Sequence, residues 1–461
     1  VTEADVEGKT AYDIHLHAFN LSHPSLMAFV RRSVRELAKG LLRPRRIPLG
    51  LLVLASALGL VLLSVLLLLV CWLPPLRRLA RRLIHALVRR VTRLLKSFAN
   101  LLLVLENDIG STFLLMENCL RESENPLLDA EGLHLGEECY RRIVLTPLMM
   151  DFGYKNKTAP GEQSRRWFHY DVPAGKPIVE QVVDVFRAIR VYAETESDLA
   201  LAAKYPALDA STRRVFEIYP FLALNPANYT LEKIEGLLEK YFAHYTGRRA
   251  DFLAQFAQFD GNIDHLADHV FAGIKVYPPL GFDPWPDDDP QAMVKIDRLY
   301  ATCSEKGIPL ITHGGKGGFV TVDRERLNAI TDVSKWARAL QRYPGLWIDL
   351  AHFPMGRLEQ KRQQESLALV LEYENVYVDI SCRATSDVYY QRLTKLLDRL
   401  PPEDAEKLRS RVLFGSDFAV NLMWIESYNR YFDLFSRTSA LTPAEKDAFC
   451  SVNPERFLFR S

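Results

Sequence analysis

Eight short runs of β-branched and aromatic residues, alternating with amphipathic stretches, govern what this 461-residue chain can become. The first is AYDIHLHAF (11–19). Seven follow from Arg141 onward: RIVLTPLMMDFG (142–153), RVFEIYPFLALNP (214–226), FAGIKVYPP (271–279), GIPLITHGG (307–315), LWIDLAHF (346–353), NVYVDISCRA (375–384) and RVLFGSDF (411–418). Between them lie helical patterns such as KPIVEQVVDVFRAIRVYAE, TLEKIEGLLEKYFAHY, QAMVKIDRLYATCSEKG and QQESLALVLEYE. Eight β units alternating with helices predict an α/β fold, a closed (β/α)8 TIM barrel. An open doubly wound sheet is the competing arrangement, but no glycine-rich phosphate fingerprint follows the first strand.

The alternation is interrupted once. Ile47 to Leu76 contains no charged residue. A helix over 49–73 would be roughly 37 Å long at 1.5 Å per residue, against roughly 30 Å for a bilayer's hydrocarbon core. The next stretch, LRRLARRLIHALVRRVTRLLKSF (76–98), sets one apolar stripe at helical spacing against a face of Arg and Lys. A basic amphipathic helix beside an apolar span reads as a segment lying on an anionic membrane. The alternative is a buried helix of a homo-oligomer. His15 and His17 precede the run and the other strands follow it, so a single crossing would divide the barrel between two compartments. Arg43, Arg45 and Arg46 flank one end, and Arg77, Arg78, Arg81 and Arg82 the other. Positive residues on both flanks place both ends on the cytoplasmic side. The expectation is a re-entrant or in-plane anchor, bent near Gly59. Residues 1–30 and 135–461 then form the barrel, and 31–134 a helical insertion that meets membrane lipid through residues 47–98. The barrel would be membrane-associated, on the cytoplasmic side.

Bulk composition adds little. A net charge of +1 offers no global signature of a nucleic-acid partner. The six cysteines are scattered without a CxxC pair, which fits a reducing compartment better than a disulfide framework. The polar start VTEADVEGKT reads as no secretory signal ahead of the first motif.

The chemistry gathers at strand ends. In His15-Leu16-His17 the i and i+2 side chains share a strand face, roughly 7 Å apart along the strand, and can converge on one divalent ion. Lys275 ends the fourth strand, His313 the fifth, His352 the sixth and Asp417 the last. Catalytic groups of such barrels come from the C-terminal ends of several strands, so the joint pattern points to a metal site. Asp151, Tyr277 and Arg383 lie near strand ends as substrate-lining groups. Asp379 reads as a hydrogen-bonding partner of a ligand, and Asp349 as structural. His265 and His269, four apart in DHLADH, lack the Glu of HExxH and read as surface or structural residues of the helix before strand four.

This order of residues resembles the amidohydrolase superfamily. PFLALNP, GIKVYPPLGF, LITHGG, NVYVDIS and LFGSDF are similar to the amidohydrolase-2 branch that includes aminocarboxymuconate semialdehyde decarboxylase. The resemblance covers strand one and residues 140–461. It implies that His15, His17, His313 and Asp417 are metal ligands, that Asp417 doubles as a proton acceptor, and that His352 is an acid/base or electrophilic group. One ion is the preferred reading. In a two-metal arrangement Lys275, carboxylated, and His352 would be ligands as well. Zinc is the default for this donor set, with manganese or iron as alternatives.

The implied activity is hydrolysis of an ester, amide, lactone or C–N bond by a metal-activated water, acting on a small-molecule substrate at a membrane. Two other readings remain open. One is non-oxidative decarboxylation of an aromatic or unsaturated acid, with Arg383 meeting the carboxylate. The other is a membrane effector whose barrel senses a small molecule.

Overall fold

Short strands that are apolar on both faces suit a parallel sheet with side-chain layers on each side. In the computed structural model of this chain, residues 8–23, 99–153, 176–194, 213–256 and 268–459 are described, with isolated positions between them. In chain order the elements begin with β1 (Thr10–His17), α1 (Ile109–Arg121), β2 (Leu133–Leu135), β3 (Glu138–Tyr140), β4 (Arg142–Leu148) and α2 (Ile178–Glu194). There follow β5 (Phe216–Ile218), β6 (Phe221–Ala223), α3 (Leu231–Phe242), α4 (Arg249–Phe256), β7 (Gly273–Val276), α5 (Pro290–Lys306) and β8 (Leu310–Thr312). The rest are α6 (Arg324–Ile330), α7 (Ser334–Arg342), β9 (Ile348–Leu350), α8 (Gln360–Glu372), β10 (Val376–Asp379), α9 (Asp387–Leu397), α10 (Pro402–Arg409), β11 (Val412–Leu413), α11 (Tyr428–Arg437), α12 (Pro443–Asp447) and α13 (Asn453–Leu458).

The strands pair in parallel in the order β1-β4-β6-β7-β8-β9-β10-β11. The seam closes where Leu16 bridges Phe418. There the Ile14 amide donates to Phe414 O at 3.2 Å and the His17 amide to Phe418 O at 2.7 Å. The run 214–226 is one barrel stave broken in two. β5 pairs with β4, whereas β6 pairs with both β4 and β7. Pro220 lies between the halves; proline has no N–H to give a ladder. The fold is therefore a TIM barrel of eight staves, with β2 and β3 forming a separate antiparallel hairpin.

Helix sequences follow the same economy. In α3, Ile234, Leu237, Leu238, Tyr241 and Phe242 are buried at helical spacing, and the Thr230 side chain caps the start by accepting from the Lys233 amide. Each such aliphatic side chain contributes about 1.5–3 kcal/mol on burial. The acidic turn 284–290 ends in Asp289, whose side chain accepts from the Ala292 amide and so starts α5, with Pro290 at the first position. α1 belongs to the outer ring. Phe113, Leu114, Met116 and Leu120 are buried in the main core, and Glu117, fully buried, accepts from Arg121 Nε at 2.9 Å and from the Tyr192 hydroxyl of α2. The stretch 109–121, assigned to the insertion from sequence, packs as the first barrel helix.

The apolar and basic segment 47–76 and most of 76–98 lie outside the described residues. Among the described residues, no helix is long and apolar enough to cross a membrane.

Candidate metal centre

Parallel strands that end together bring their last side chains together. His15 and His17 sit on β1, Lys275 on β7, His313 just past β8, His352 past β9, Asp379 at the end of β10 and Asp417 past β11. The backbone is bent to aim three of these loops. His352, Cys382 and Asp417 have φ of 63°, 59° and 62°. Non-glycine residues rarely hold that left-handed conformation, which costs of order 1–3 kcal/mol and gathers at functional sites. Gly415 makes room beside them: a Cβ there would lie 2.6 Å from His15 Cβ.

Hydrogen bonds decide which imidazole nitrogens hold lone pairs. His15 Nδ1 donates to Asp379 Oδ2 at 2.6 Å, leaving Nε2 as the lone-pair atom. His352 Nδ1 lies 3.1 Å from the Ser381 carbonyl, an acceptor only, so its proton belongs there and Nε2 is free. Ser381 Oγ donates to Asp379 Oδ1 at 2.6 Å, and the same oxygen accepts from the His352 amide at 2.8 Å. One carboxylate therefore positions two histidines.

The freed atoms face one another. Ligand atoms of His15, His352 and Asp417 all lie within 4.8 Å of each other. His17 Nε2 lies 3.1 Å and His15 Nε2 3.9 Å from Asp417 Oδ1, which, though buried, accepts no aligned hydrogen bond among the described residues. His352 Nε2 lies 3.1 Å from His313 Nδ1. Donor atoms around a tetrahedral ion with bonds of about 2.0–2.1 Å are about 3.3 Å apart. The orphaned carboxylate oxygen and the converging imidazole nitrogens thus fit a divalent cation. Asp417, His15 and His352 form one mutually close group. His17 joins through Asp417, and His313 through His352.

Charge states agree with that donor set. Burial, reinforced by the nearby Lys275 ammonium, lowers His15 to about 3. Burial lowers His352, and burial with the His352 charge lowers His313 well below the usual imidazole range. Burial alone would raise Asp417, but the close His17 imidazole and the His352 charge hold it below the ordinary carboxylate range. Metal binding wants neutral imidazoles and an ionised carboxylate, and this environment supplies both.

Lys275 lies under the cluster. Its Nζ approaches His15 Nε2 at 3.4 Å. Burial lowers it to about 8, against the pull of Asp379, Asp349 and Asp417. Asp349 is fully buried beside Asp379, and burial plus the Asp379 charge raises it well above the usual value.

The other sequence-selected residues are distributed as follows. The Tyr277 ring stacks on His313, with centroids 4.3 Å apart. Arg383 Nη2 donates to Glu359 Oε1 at 3.0 Å, and Glu359 also accepts from Arg362. Asp151 accepts from the Asn225 amide at 2.8 Å and from Asn228 Nδ2 at 2.9 Å, so both its oxygens tie the loop after β4 to the one after β6. His269 lies in non-helical chain ahead of β7, packed against Tyr245 and Phe252.

Sequence reasoning missed several groups. Ser381 had no spacing signal. Arg362, on α8, donates to the His352 carbonyl at 2.7 Å and so steadies the left-handed turn. Asp13, fully buried, accepts from Ser416 Oγ at 2.6 Å and from Tyr428 at 3.0 Å, anchoring the loop that carries Asp417. Phe19, Phe152 and Phe319 meet edge to face, with centroids 5.1–5.6 Å apart, and Phe19 lies against His17. The only signal for these was their proximity in sequence to strand ends.

Comparison with known proteins finds one matching family model. Residues 174–460 match the family model described as "Amidohydrolase". No curated protein matches. Among solved structures, the chain is similar to a dihydroorotase from Campylobacter jejuni at 14% identity, covering 76% of this chain and 79% of that one, TM-score 0.33. A 5-carboxyvanillate decarboxylase from Novosphingobium aromaticivorans matches at 14% identity, covering 76% and 88%, TM-score 0.33. A 4-oxalomesaconate hydratase from Rhodopseudomonas palustris matches at 15%, covering 69% and 76%, TM-score 0.33.

Proposed function

The chain belongs to the amidohydrolase family and is an enzyme of that superfamily, and on that premise we propose that it is a metal-dependent hydrolase attacking an ester, amide, lactone or C–N bond. The observation that carries this is the buried Asp417 carboxylate, whose Oδ1 faces imidazole nitrogens with no aligned donor among the described residues. Five residues would hold the ion: His15, His17, Asp417 and, across the cluster, His313 and His352. A divalent ion in such a set supplies Lewis acidity and activates a water, zinc being the default and manganese or iron alternatives.

The chain's own residues do the rest. Asp379 fixes the His15 tautomer and, through Ser381 and the His352 amide, the orientation of His352. Asp417 offers an ionised oxygen that can take a proton from the attacking water and return it to the leaving group. His352, whose Nε2 lone pair faces the cluster, can ligate the ion or take a proton beside it. Tyr277 and the Phe19–Phe152–Phe319 trio give an apolar, aromatic wall that keeps water from the substrate. Asp151 shapes that wall by joining two loops. Lys275 keeps a positive charge beneath the cluster in the one-ion reading; carboxylated, it would serve the two-ion one.

Decarboxylation is the second reading. Arg383 and Arg362 share the single carboxylate of Glu359, which leaves one positive charge in excess beside His352 for an acid to meet. We further propose that the enzyme is held at the cytoplasmic face of a membrane through residues 47–98. Metal analysis of the wild type beside His313→Ala and Asp417→Ala, with a panel of aryl esters, lactones and anilides, tests the hydrolase. One ion lost in Asp417→Ala with turnover is expected. Carbon dioxide release without hydrolysis selects the second reading, and a metal-free wild type that takes up no zinc overturns both.

A further inference from the structure

Behind the candidate metal centre, between the barrel wall and the helix layer, lies a recess with about 310 Å³ of empty space. Thr312, His313 and Gly314 line it from the end of β8, and Arg362 and Ser366 from α8. Side chains alternate across a strand. Lys275 and Asp349 stand in register with Ile311, and Lys275 points inward, to His15. Thr312, one residue on, therefore points outward, away from the barrel interior.

The recess is rich in donors and poor in acceptors. Thr312 Oγ1 and His313 Nε2 are buried with no hydrogen-bond partner among the described residues. Arg362 donates from Nη1 to Glu359 at 3.0 Å and from Nη2 to the His352 carbonyl at 2.7 Å, which engages two of the five N–H groups of a guanidinium. Glu359 is shared with Arg383, so one carboxylate answers two guanidiniums. Burial lowers Arg362 to about 10, with Glu359 opposing and Arg383 adding to the shift. No acidic side chain is among the described residues that line the recess. Two glycines keep the space between these donors open. A Cβ on Gly315 would lie 3.2 Å from His313 Nε2 and 3.8 Å from Arg362 Nη1, and one on Gly314 would lie 3.3 Å from Arg362 Nη2.

His313 connects the recess to the metal centre. Its Nδ1 faces His352 Nε2 at 3.1 Å. With that lone pair given to an ion, the ring proton sits on Nε2. A metal-bound imidazole ordinarily donates this proton to a carboxylate, a carbonyl or a water, and no described side chain or backbone group takes it here. A water in the recess would satisfy the hydroxyl and the imidazole, but it would leave the guanidinium charge unanswered.

We infer that the recess is a binding site for a small monovalent anion, of halide or formate size, that accepts from Arg362, Thr312 and the His313 Nε2–H. For the last of these donors the inference rests on the metal-dependent reading above, because His313 must give Nδ1 to the ion. An acceptor on Nε2 makes the imidazole a stronger ligand. Anion and metal then strengthen each other's binding by the same factor.

The test measures zinc affinity of the full-length chain by competition with a chelator, in sodium bromide and in sodium isethionate at equal ionic strength. Bromide is expected to tighten zinc about tenfold. An anomalous-difference map at the bromine edge should place a peak touching Thr312 Oγ1 and Arg362. Thr312→Val keeps the shape of the side chain and leaves Arg362 on the His352 carbonyl. It should keep its Tm and its zinc stoichiometry, and lose both the peak and the bromide effect. A wild-type zinc affinity indifferent to the anion overturns the inference, as does an effect that persists in full in Thr312→Val. Bromide found only on the zinc, or a recess that holds only water, overturns it too. The map is repeated on metal-free crystals. A chain that takes up no zinc sinks the metal reading, while the bromide peak at Arg362 and Thr312, or its absence, still judges the recess.

Discussion

Two buried clusters, one at each end of the barrel, treat charge in opposite ways. At the N-terminal end, Glu217 on β5 accepts from Arg249 Nη2 at 2.6 Å and Nε at 3.0 Å, from the Tyr219 hydroxyl at 2.8 Å, and from Arg142 at the start of β4. Both its oxygens are engaged. At the C-terminal end, His17 Nδ1, His313 Nε2 and Asp417 Oδ1 are buried without a hydrogen-bond partner among the described residues. An unpartnered buried polar group costs about 1–3 kcal/mol, more when charged. A floor cluster that satisfies itself is scaffold. A mouth cluster left open, at a cost in stability, is a place made for something the chain does not contain.

The contrast can be broken by exchanging the consequences of mutation. Asp417→Ala should abolish tight metal binding and lower kcat/KM at least about a thousandfold, roughly 4 kcal/mol of transition-state stabilisation, without lowering the metal-free Tm. A large drop in metal-free stability would make Asp417 a scaffold group. Glu217→Ala should do the reverse. It strands Arg249 and Arg142, so chemical denaturation should report a loss of about 3 kcal/mol, with metal stoichiometry intact.

Smaller effects sharpen the same division. Asp379→Asn keeps the shape but loses the charge that fixes His15, and metal affinity should fall about 10- to 100-fold by competition with a chelator. An unchanged affinity would mean that the His15 tautomer is set elsewhere. The pH response follows from His15, lowered to about 3 by burial. The unfolded chain takes up this proton near 6.5, the folded one only near 3. Its contribution is full above about pH 6.5 and is lost as pH falls toward 3, at about 1.4 kcal/mol per unit. Metal-free protein should therefore weaken between pH 6.5 and 5 in urea titrations, and His15→Asn should flatten that slope.

How much of this was readable in the sequence depends on what each feature requires. The eight staves were legible because strand and helix periodicities differ and each run is bounded by turn residues. The break at Pro220 was hidden inside one continuous apolar run. HxH, His313, His352 and Asp417 stood out because each closes a strand, and the structure brings these side chains into one cluster. Asp379 was legible as a hydrogen-bonding partner from its place in VYVDIS. The left-handed backbone at His352, Cys382 and Asp417 left no mark, since nothing in those residue types demands it. Ser381 and Arg362 act through backbone and side-chain positions set only by the closed barrel. Arg383 and Asp151 looked free in sequence, yet Glu359 and the Asn225–Asn228 loop engage them, because pairing between distant loops has no local signature.

The most direct measurement is an anomalous-difference map at the zinc edge from crystals of the metal-loaded chain. Expected is a peak within bonding distance of His15 Nε2 and Asp417 Oδ1, with a further imidazole from His17, His313 or His352. Density confined to other residues, or a zinc-soaked crystal with no peak between these two, would contradict the assignment of the barrel mouth as a metal centre.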